Sequence, residues 1–269
     1  MAVFYDTHAH LDYQDYAKDL TEVIARAQAA GITRIISIGT ELESSARAIK
    51  LAERFAGVYA AVGWHPSDAM KAPSDLRPAL RELVKHPKVV AIGEIGLDYH
   101  HLPGGKTGGS AADDAGYKMK QAAIFQQQLE IAAEAGLNCV IHQRDSFDDT
   151  LAQLKPFAGK VRGVFHCFGE TVERLHRVLE TGSLVSFTGI VTFKNGQNVR
   201  DTLAFTPLGK FMLETDCPYL APVPYRGKRC EPAYVKEISE TVAQTKGYPI
   251  EELSAATCKT AVEFFPKLE

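Results

Sequence analysis

His8 and His10 lie two apart in the strand-like opening Val3-Phe4-Tyr5-Asp6-Thr7-His8-Ala9-His10-Leu11. Side chains alternate faces along a β-strand, so residues two apart point the same way. Two imidazoles on one face at a strand end are placed to grip a divalent metal, although an isolated His-x-His pair serves equally well as hydrogen-bonded structure. Further polar residues follow short apolar runs: Trp64-His65-Pro66, Gly93-Glu94-Ile95, Ile141-His142-Gln143-Arg144, Phe165-His166-Cys167 and Glu214-Thr215-Asp216. Of the nine histidines, His8, His10, His65, His142 and His166, with His100 at the margin, fall at or just past expected strand ends. His86, His101 and His176 do not. Taken singly, each site residue has a bland role: Asp216 a cap, Glu94 an ion-pair partner, His166 a satisfied core histidine. Gathered at one end of one barrel, they make a metal-binding set.

That mixture has chemical consequences. Imidazole suits zinc, iron or copper and carboxylate oxygen suits magnesium or manganese, so the set leaves the metal open. Four histidines (His8, His10, His142, His166) with Glu94 and Asp216 exceed what one tetrahedral ion requires. They fit two divalent ions about 3.5–4 Å apart, clamping an attacking hydroxide and a leaving oxygen. Glu94 is then the natural bridge. Asp216 can serve as a ligand and also accept the proton of the nucleophilic water, so Glu94 and Asp216 are the candidate catalytic carboxylates.

The elements that must position these residues alternate along the whole chain. Strand-like runs are expected at Val3–His8, Arg34–Gly39, Val58–Gly63, Val89–Ile95, Asn138–His142, Gly163–Phe168, Ser183–Ile190 and Lys210–Asp216. Helical stretches are expected at Tyr16–Ala30, Leu42–Phe55, Ser74–Lys85, Lys120–Ala135, Phe147–Pro156, Thr171–Thr181, Asn198–Phe205, Glu231–Lys246 and Ile250–Phe265. Gly31, Gly57, Gly136, Gly182 and Gly247 stand where helix-terminating glycines belong. Eight strand–helix alternations match a (β/α)₈ TIM-type barrel of roughly 250 residues, whose catalytic groups gather at the C-terminal strand ends. A dinucleotide-binding open sheet is disfavoured, because no Gly-x-Gly-x-x-Gly follows the first strand. We expect one barrel domain over 1–269. A flexible glycine-rich insertion at about 100–117 would hang over the mouth, either as a lid or as a tolerated loop elaboration.

Composition limits the alternatives. The 269 residues are 45% hydrophobic and 23% charged, with a formal net charge of −3, so bulk positive charge does not coat nucleic acid. A local basic patch remains compatible. Five scattered cysteines lack any Cys-x-x-Cys spacing and suggest neither a disulfide framework nor a zinc ribbon. There is no signal-peptide pattern and no apolar run of membrane-spanning length, so a cytoplasmic location without membrane association is expected. Nothing points to an obligate protein partner.

The motifs closely resemble the TatD family of metal-dependent hydrolases, the TatD-type DNases of the amidohydrolase superfamily. The resemblance runs from Asp6-Thr7-His8-Ala9-His10-Leu11-Asp12 through Gly63-Trp64-His65-Pro66, Gly93-Glu94-Ile95-Gly96-Leu97-Asp98-Tyr99 and Ile141-His142-Gln143-Arg144. It continues through His166-Cys167-Phe168 and Ser186-Phe187-Thr188-Gly189 to Asp216-Cys217-Pro218-Tyr219-Leu220-Ala221-Pro222-Val223-Pro224-Tyr225-Arg226-Gly227-Lys228. It implies an amidohydrolase-like barrel and phosphodiester hydrolysis with one or two divalent ions. By position, His8, His10, Glu94 and Asp216 match the family's first metal site, and Glu94, His142 and His166 the second. Family members include 3′–5′ exonucleases, and relatives with D-aminoacyl-tRNA deacylase activity exist. The implied activity is therefore a 3′–5′ exodeoxyribonuclease on single-stranded DNA or strand ends, with DNA ends as the partner. A deacylase or other ester or amide hydrolase is the alternative, and a non-catalytic metal-binding protein a third reading. Gln143, in place of a common threonine, and Tyr225, in place of a common histidine, depart from the pattern without removing a ligand.

Substrate contacts are expected from His65 and from the basic cluster of Arg226, Lys228 and Arg229, since guanidinium suits bidentate phosphate recognition. Tyr225, Trp64 and Tyr219 could stack an unpaired base or pack at the rim. Arg144 could contact phosphate or hold a ligand carboxylate. Asp98 is expected to orient a ligand histidine.

Overall fold

Short strands too apolar to face water, interleaved with one-sided helices, bury themselves by closing into a ring with the helices outside. The structure is a computed structural model that describes residues 2–106 and 108–268. Its strands are β1 Phe4–Ala9, β2 Ile32–Ile38, β3 Val58–Val62, β4 Val89–Asp98, β5 Asn138–Arg144, β6 Gly163–Phe165, β7 Leu184–Phe187 and β8 Phe211–Leu213. They pair in chain order, every neighbour parallel. Closure comes just past β8: Ala9 bridges Cys217, His10 N–H donates to the Cys217 carbonyl and Asp216 N–H to the His8 carbonyl, both at 2.9 Å. This is the TIM-type barrel expected from the alternation.

The helices are α1 Leu20–Ala29, α2 Leu42–Arg54, α3 Arg77–Leu83, α4 Pro103–Lys106, α5 Ala111–Ala135, α6 Phe147–Leu154, α7 Val172–Glu180, α8 Gln197–Phe205, α9 Val235–Lys246 and α10 Ile250–Phe264. Among the described residues no helix is long and apolar enough to cross a membrane.

Element ends differ from the sequence expectation for local reasons. Strands β6 and β8 stop early, before Cys167 (φ 49°) and Asp216 (φ 58°), whose left-handed backbones turn the chain out of the strand. Strand β4 runs on to Asp98, because Gly96 lets it keep pairing with β5. A Cβ at Gly96 (φ 138°) would sit 2.0 Å from the His142 carbonyl oxygen. Helix α5 starts at Ala111 instead of Lys120. Ser110 accepts from Asp113 N–H at 3.2 Å while Asp113 accepts from Ser110 N–H at 2.7 Å, a capping box that launches a helix inside glycine-rich sequence. Much of the expected insertion at 100–117 is therefore helical, in α4 and the first turns of α5; Thr107 lies outside the described residues. Gly136 and Gly247 end α5 and α9 in left-handed conformation, as their positions suggested.

Inside the barrel, Ile36, Ile38, Val90, Val140, Val164, Leu184 and Met212 pack on Phe264, Phe265 and Leu268 at the end of α10. Asn138, which opens β5, donates to the Phe264 carbonyl at 2.6 Å, so α10 plugs the end where strands begin. Two residues further along the chain stand His142 after Val140 within β5, and His166 after Val164 and Glu214 after Met212, each just past its strand's end. The period of two thus stacks a polar layer on an apolar one. That polar layer is the site.

Candidate metal centre

Asp6 fixes the first pair of histidines. Its buried carboxylate accepts from His8 N–H (3.2 Å), Thr215 N–H (3.0 Å) and Thr215 Oγ1 (2.6 Å), tying β1 to the segment that carries Asp216. Burial nonetheless pushes the Asp6 carboxyl up to about 8. His8 Nε2 and His10 Nε2 lie 3.3 Å apart and both face Asp216 Oδ1, at 3.6 and 3.3 Å. Both also face Glu94 Oε2, at 3.5 and 3.8 Å.

The other oxygen of Glu94 serves a different group. Glu94 Oε1 is 2.8 Å from His166 Nε2, 2.9 Å from His142 Nδ1 and 3.4 Å from His65 Nε2. One buried carboxylate therefore stands between two donor sets. Burial opposes its charge, but the imidazoles of His166, His65 and His8 and the His142 hydrogen bond outweigh that and hold it well below the usual carboxylate range. Asp216 is likewise held low: the His10 hydrogen bond and nearby imidazoles overcome burial.

The histidines divide by their second contacts. His142 Nε2 meets Asp98 Oδ2 at 3.0 Å, and Asp98 also meets His101 Nδ1 at 2.7 Å. A carboxylate on one ring nitrogen keeps the proton there and frees the other nitrogen for a metal. His166 Nδ1 lies 3.6 Å from buried Glu214, whose Oε1 also accepts from Cys167 N–H at 2.7 Å. His65 differs, because its Nδ1 accepts from Ser67 N–H at 3.1 Å, so the neutral ring carries its proton on Nε2, facing Glu94. Burial, opposed by Glu94, pulls His65 below its ordinary value, and burial with nearby His166 does the same for His8. Burial also acts against charge on His10, His142 and His166, but their carboxylate partners raise all three.

The residues fit a divalent ion. Two neutral imidazoles 3.3 Å apart can share one proton, but these two also converge with two carboxylate oxygens on one point, and among the described residues the buried Nδ1 atoms of both rings have no hydrogen-bond partner. His8, His10 and Asp216 can hold an ion, as can His8, Glu94 and His166, or His65, Glu94 and His142. The tautomer of His65 argues against its serving as a ligand.

Residues 5–266 match the family model for TatD-related DNases. This chain belongs to the TatD family. It is 38% identical over 264 residues to YabD, an uncharacterized metal-dependent hydrolase of Bacillus subtilis, covering 98% of this chain and 99% of that protein. It is 34% identical over 259 residues to the 3′-5′ ssDNA/RNA exonuclease TatD of Citrobacter koseri, covering 94% and 95%. The crystal structure of YJJV, a TatD homologue from Escherichia coli, superposes with a TM-score of 0.88 at 28% identity, covering 98% of each chain. The protein is a TatD-family metal-dependent hydrolase.

Of the residues singled out in sequence, His8, His10, His65, Glu94, His142, His166 and Asp216 come together. Tyr225 and Arg226 do not join them. The Tyr225 ring stacks on Tyr234 at 4.1 Å, with its hydroxyl toward Glu237. Arg226 lies 3.7 Å over the Phe193 ring and donates to the Ala221 carbonyl. Arg229 is held by Asp19 at 2.6 Å. His100 pairs with Asp145 outside the cluster. Trp64 is buried, its indole donating to the Asp68 carbonyl. Sequence reasoning missed Asp6, His101, Glu214 and Tyr13, whose ring stacks on His10 at 4.8 Å. Asp6 and Glu214 were legible from the same alternation, each two residues before a proposed ligand. His101 and Tyr13 lie in loops and gave no signal.

Proposed function

We propose that this TatD-family hydrolase is a phosphodiesterase using two divalent ions, acting as a 3′–5′ exodeoxyribonuclease on single-stranded DNA or strand ends. The observation that carries the reading is the division of Glu94, with Oε2 toward His8 and His10 and Oε1 toward His142 and His166. That arrangement suits a carboxylate bridging two ions, with Asp216 completing the first set. The similarity to the Citrobacter koseri exonuclease supports the choice of bond and substrate.

Bound divalent ions supply an activated water and offset charge on the leaving oxygen. Asp216, ionised at neutral pH and beside His10, is placed to accept the proton of that water. His65 presents Nε2–H as a donor for a phosphoryl oxygen, because Ser67 occupies its other nitrogen. Magnesium, manganese and zinc all remain candidates, since the donor set mixes imidazole with carboxylate. Five free thiols support a reducing, cytoplasmic setting.

The test is hydrolysis of 3′- and 5′-labelled DNA, RNA and D-aminoacyl-tRNA by protein supplied with each metal, with and without chelator. A chelator-sensitive product ladder shortening from the 3′ end is expected with single-stranded DNA. Release of D-amino acid with no strand cleavage would replace the exonuclease reading with the deacylase one.

A further inference from the structure

Arg144 closes β5 two residues beyond His142 and is exposed. Among the described residues its guanidinium has no hydrogen bond or ion pair, whereas every other arginine has at least one. A free guanidinium on open surface means little. This one lines a cavity of about 560 Å³ shared with His142, His166 and Asp216.

Two carboxylates that line the cavity with Arg144, Asp145 and Glu170, are already engaged. Asp145, whose φ of 56° turns the chain directly after Arg144, pairs with His100 at 2.9 Å. Glu170 accepts from Arg174 at 2.6 Å and, with the Gln143 amide turned so that its nitrogen faces Glu170, from Gln143 at 3.1 Å through its other oxygen. The wall thus keeps its own anions occupied and leaves one five-donor cation facing the space beside the metal centre. Such a fork matches the two oxygens of a phosphate.

Opposite chemistry comes from Tyr219, which lines the same cavity and is 54% exposed. Its ring meets Tyr13 edge-to-face at 6.2 Å, and Tyr13 in turn stacks on His10. An aromatic braced in this way offers a sequence-tolerant face to an unpaired base.

We propose that this cavity is the subsite for the nucleotide unit next to the scissile bond, with Arg144 gripping that unit's phosphate and Tyr219 stacking its base. The proposal rests on the phosphodiesterase reading and adds to it the residues that select a strand over a small diester.

Binding is measured by fluorescence anisotropy with metal-loaded Asp216→Asn protein and a labelled single-stranded oligonucleotide. Three further strands carry a neutral methylphosphonate at the neighbouring linkage, an abasic neighbouring unit, or both. Adding Arg144→Ala should weaken binding of the native strand about 10- to 100-fold, the range of a lost charge-assisted pair. It should cost little more on the methylphosphonate strand. Arg144→Lys, which keeps charge without the fork, should fall between. Tyr219→Ala should weaken the native strand about tenfold or more and leave the abasic strand nearly unaffected. In turnover assays on the otherwise wild-type protein, the Arg144→Ala loss in kcat/KM should be about tenfold larger for an oligonucleotide than for bis(p-nitrophenyl) phosphate. Equal weakening on native and methylphosphonate strands, or on native and abasic strands, would overturn the assignment. Wild-type protein that cleaves no strand with any metal would instead sink the phosphodiesterase reading, while the binding measurements would still decide the subsite.

Discussion

Asparagine at position 98 should loosen metal binding without touching a ligand. Asp98 is fully buried, and its carboxylate takes three short contacts: His142 Nε2 at 3.0 Å, His101 Nδ1 at 2.7 Å and His101 N–H at 3.0 Å. These partners overcome burial and hold its carboxyl below the usual range. An asparagine amide has one acceptor oxygen. If that oxygen faces His101 N–H, the amide NH₂ confronts His142 Nε2–H and drives the proton to Nδ1, the atom facing Glu94. If it faces His142, the NH₂ confronts His101 N–H instead. Either way at least one charge-assisted hydrogen bond is lost, on the order of 1.5–3 kcal/mol. Loss of such an outer partner typically weakens metal binding by about 10- to 100-fold, or roughly 1.4–2.7 kcal/mol. Competition titration against a chromogenic chelator measures it directly. His101→Ala, which leaves the Asp98–His142 contact in place, should cost less. Asp98→Asn binding metal within about twofold of wild type, with an unchanged circular dichroism spectrum, would refute this account of how His142 is held.

Three other outcomes follow from the geometry. Asp216→Asn should fold normally and lose about 100- to 10,000-fold in kcat, the usual worth of a proton acceptor; an unchanged kcat would remove Asp216 from that role. Phe265→Ala, which empties a fully buried position in the plug beneath the barrel, should destabilise by on the order of 3–5 kcal/mol in denaturant titration. A change below about 1 kcal/mol would mean that α10 does not close the barrel floor. Metal-stripped protein should grow less stable in acid, because the folded-state carboxyls of Glu94, Asp98 and Asp216 lie below their ordinary values. Their contribution is present above roughly pH 4 and is lost as pH falls through the folded values. His166, raised by Glu94 and Glu214 against the effect of burial, has the opposite sign: its contribution is present below about pH 6.5 and fades as pH rises through its folded value. Asp6, pushed up to about 8 by burial, also opposes those carboxyls, its contribution fading as pH rises from about 4 toward 8. Thermal melts between pH 3 and 7 therefore check the acid limb in an Asp6→Asn background, where a flat midpoint would contradict it.

The ligand candidates were legible in sequence because strand alternation is local. Wherever an apolar run ends, a residue two positions past the last inward-facing side chain also faces inward, so His142 after Val140 and His166 after Val164 announce themselves without knowledge of their neighbours, whereas Asp216 lies beyond Glu214, past the end of β8. Tyr225 and Arg226 show the limit of that reasoning. They lie close to Asp216 in sequence, but Asp216 and Leu220 both adopt left-handed backbones (φ 58° and 54°), and the chain carries the basic run off to Phe193 and Tyr234. The helix start at Ala111 was masked by glycine-rich composition, although the Ser110–Asp113 capping box was written in the residues.

What the sequence determined by itself, then, was the alternation of elements, the barrel class and which residues converge as the candidate metal-binding set, since each depends on periodicities of a few residues. Only the tertiary structure decided how Glu94 divides its oxygens, which nitrogen of each histidine is free, and which arginine faces the cavity without a partner. Those depend on contacts between residues far apart in the chain, such as His10 with Asp216 and His142 with Asp98. No local periodicity encodes a contact whose partner is set by closing the ring.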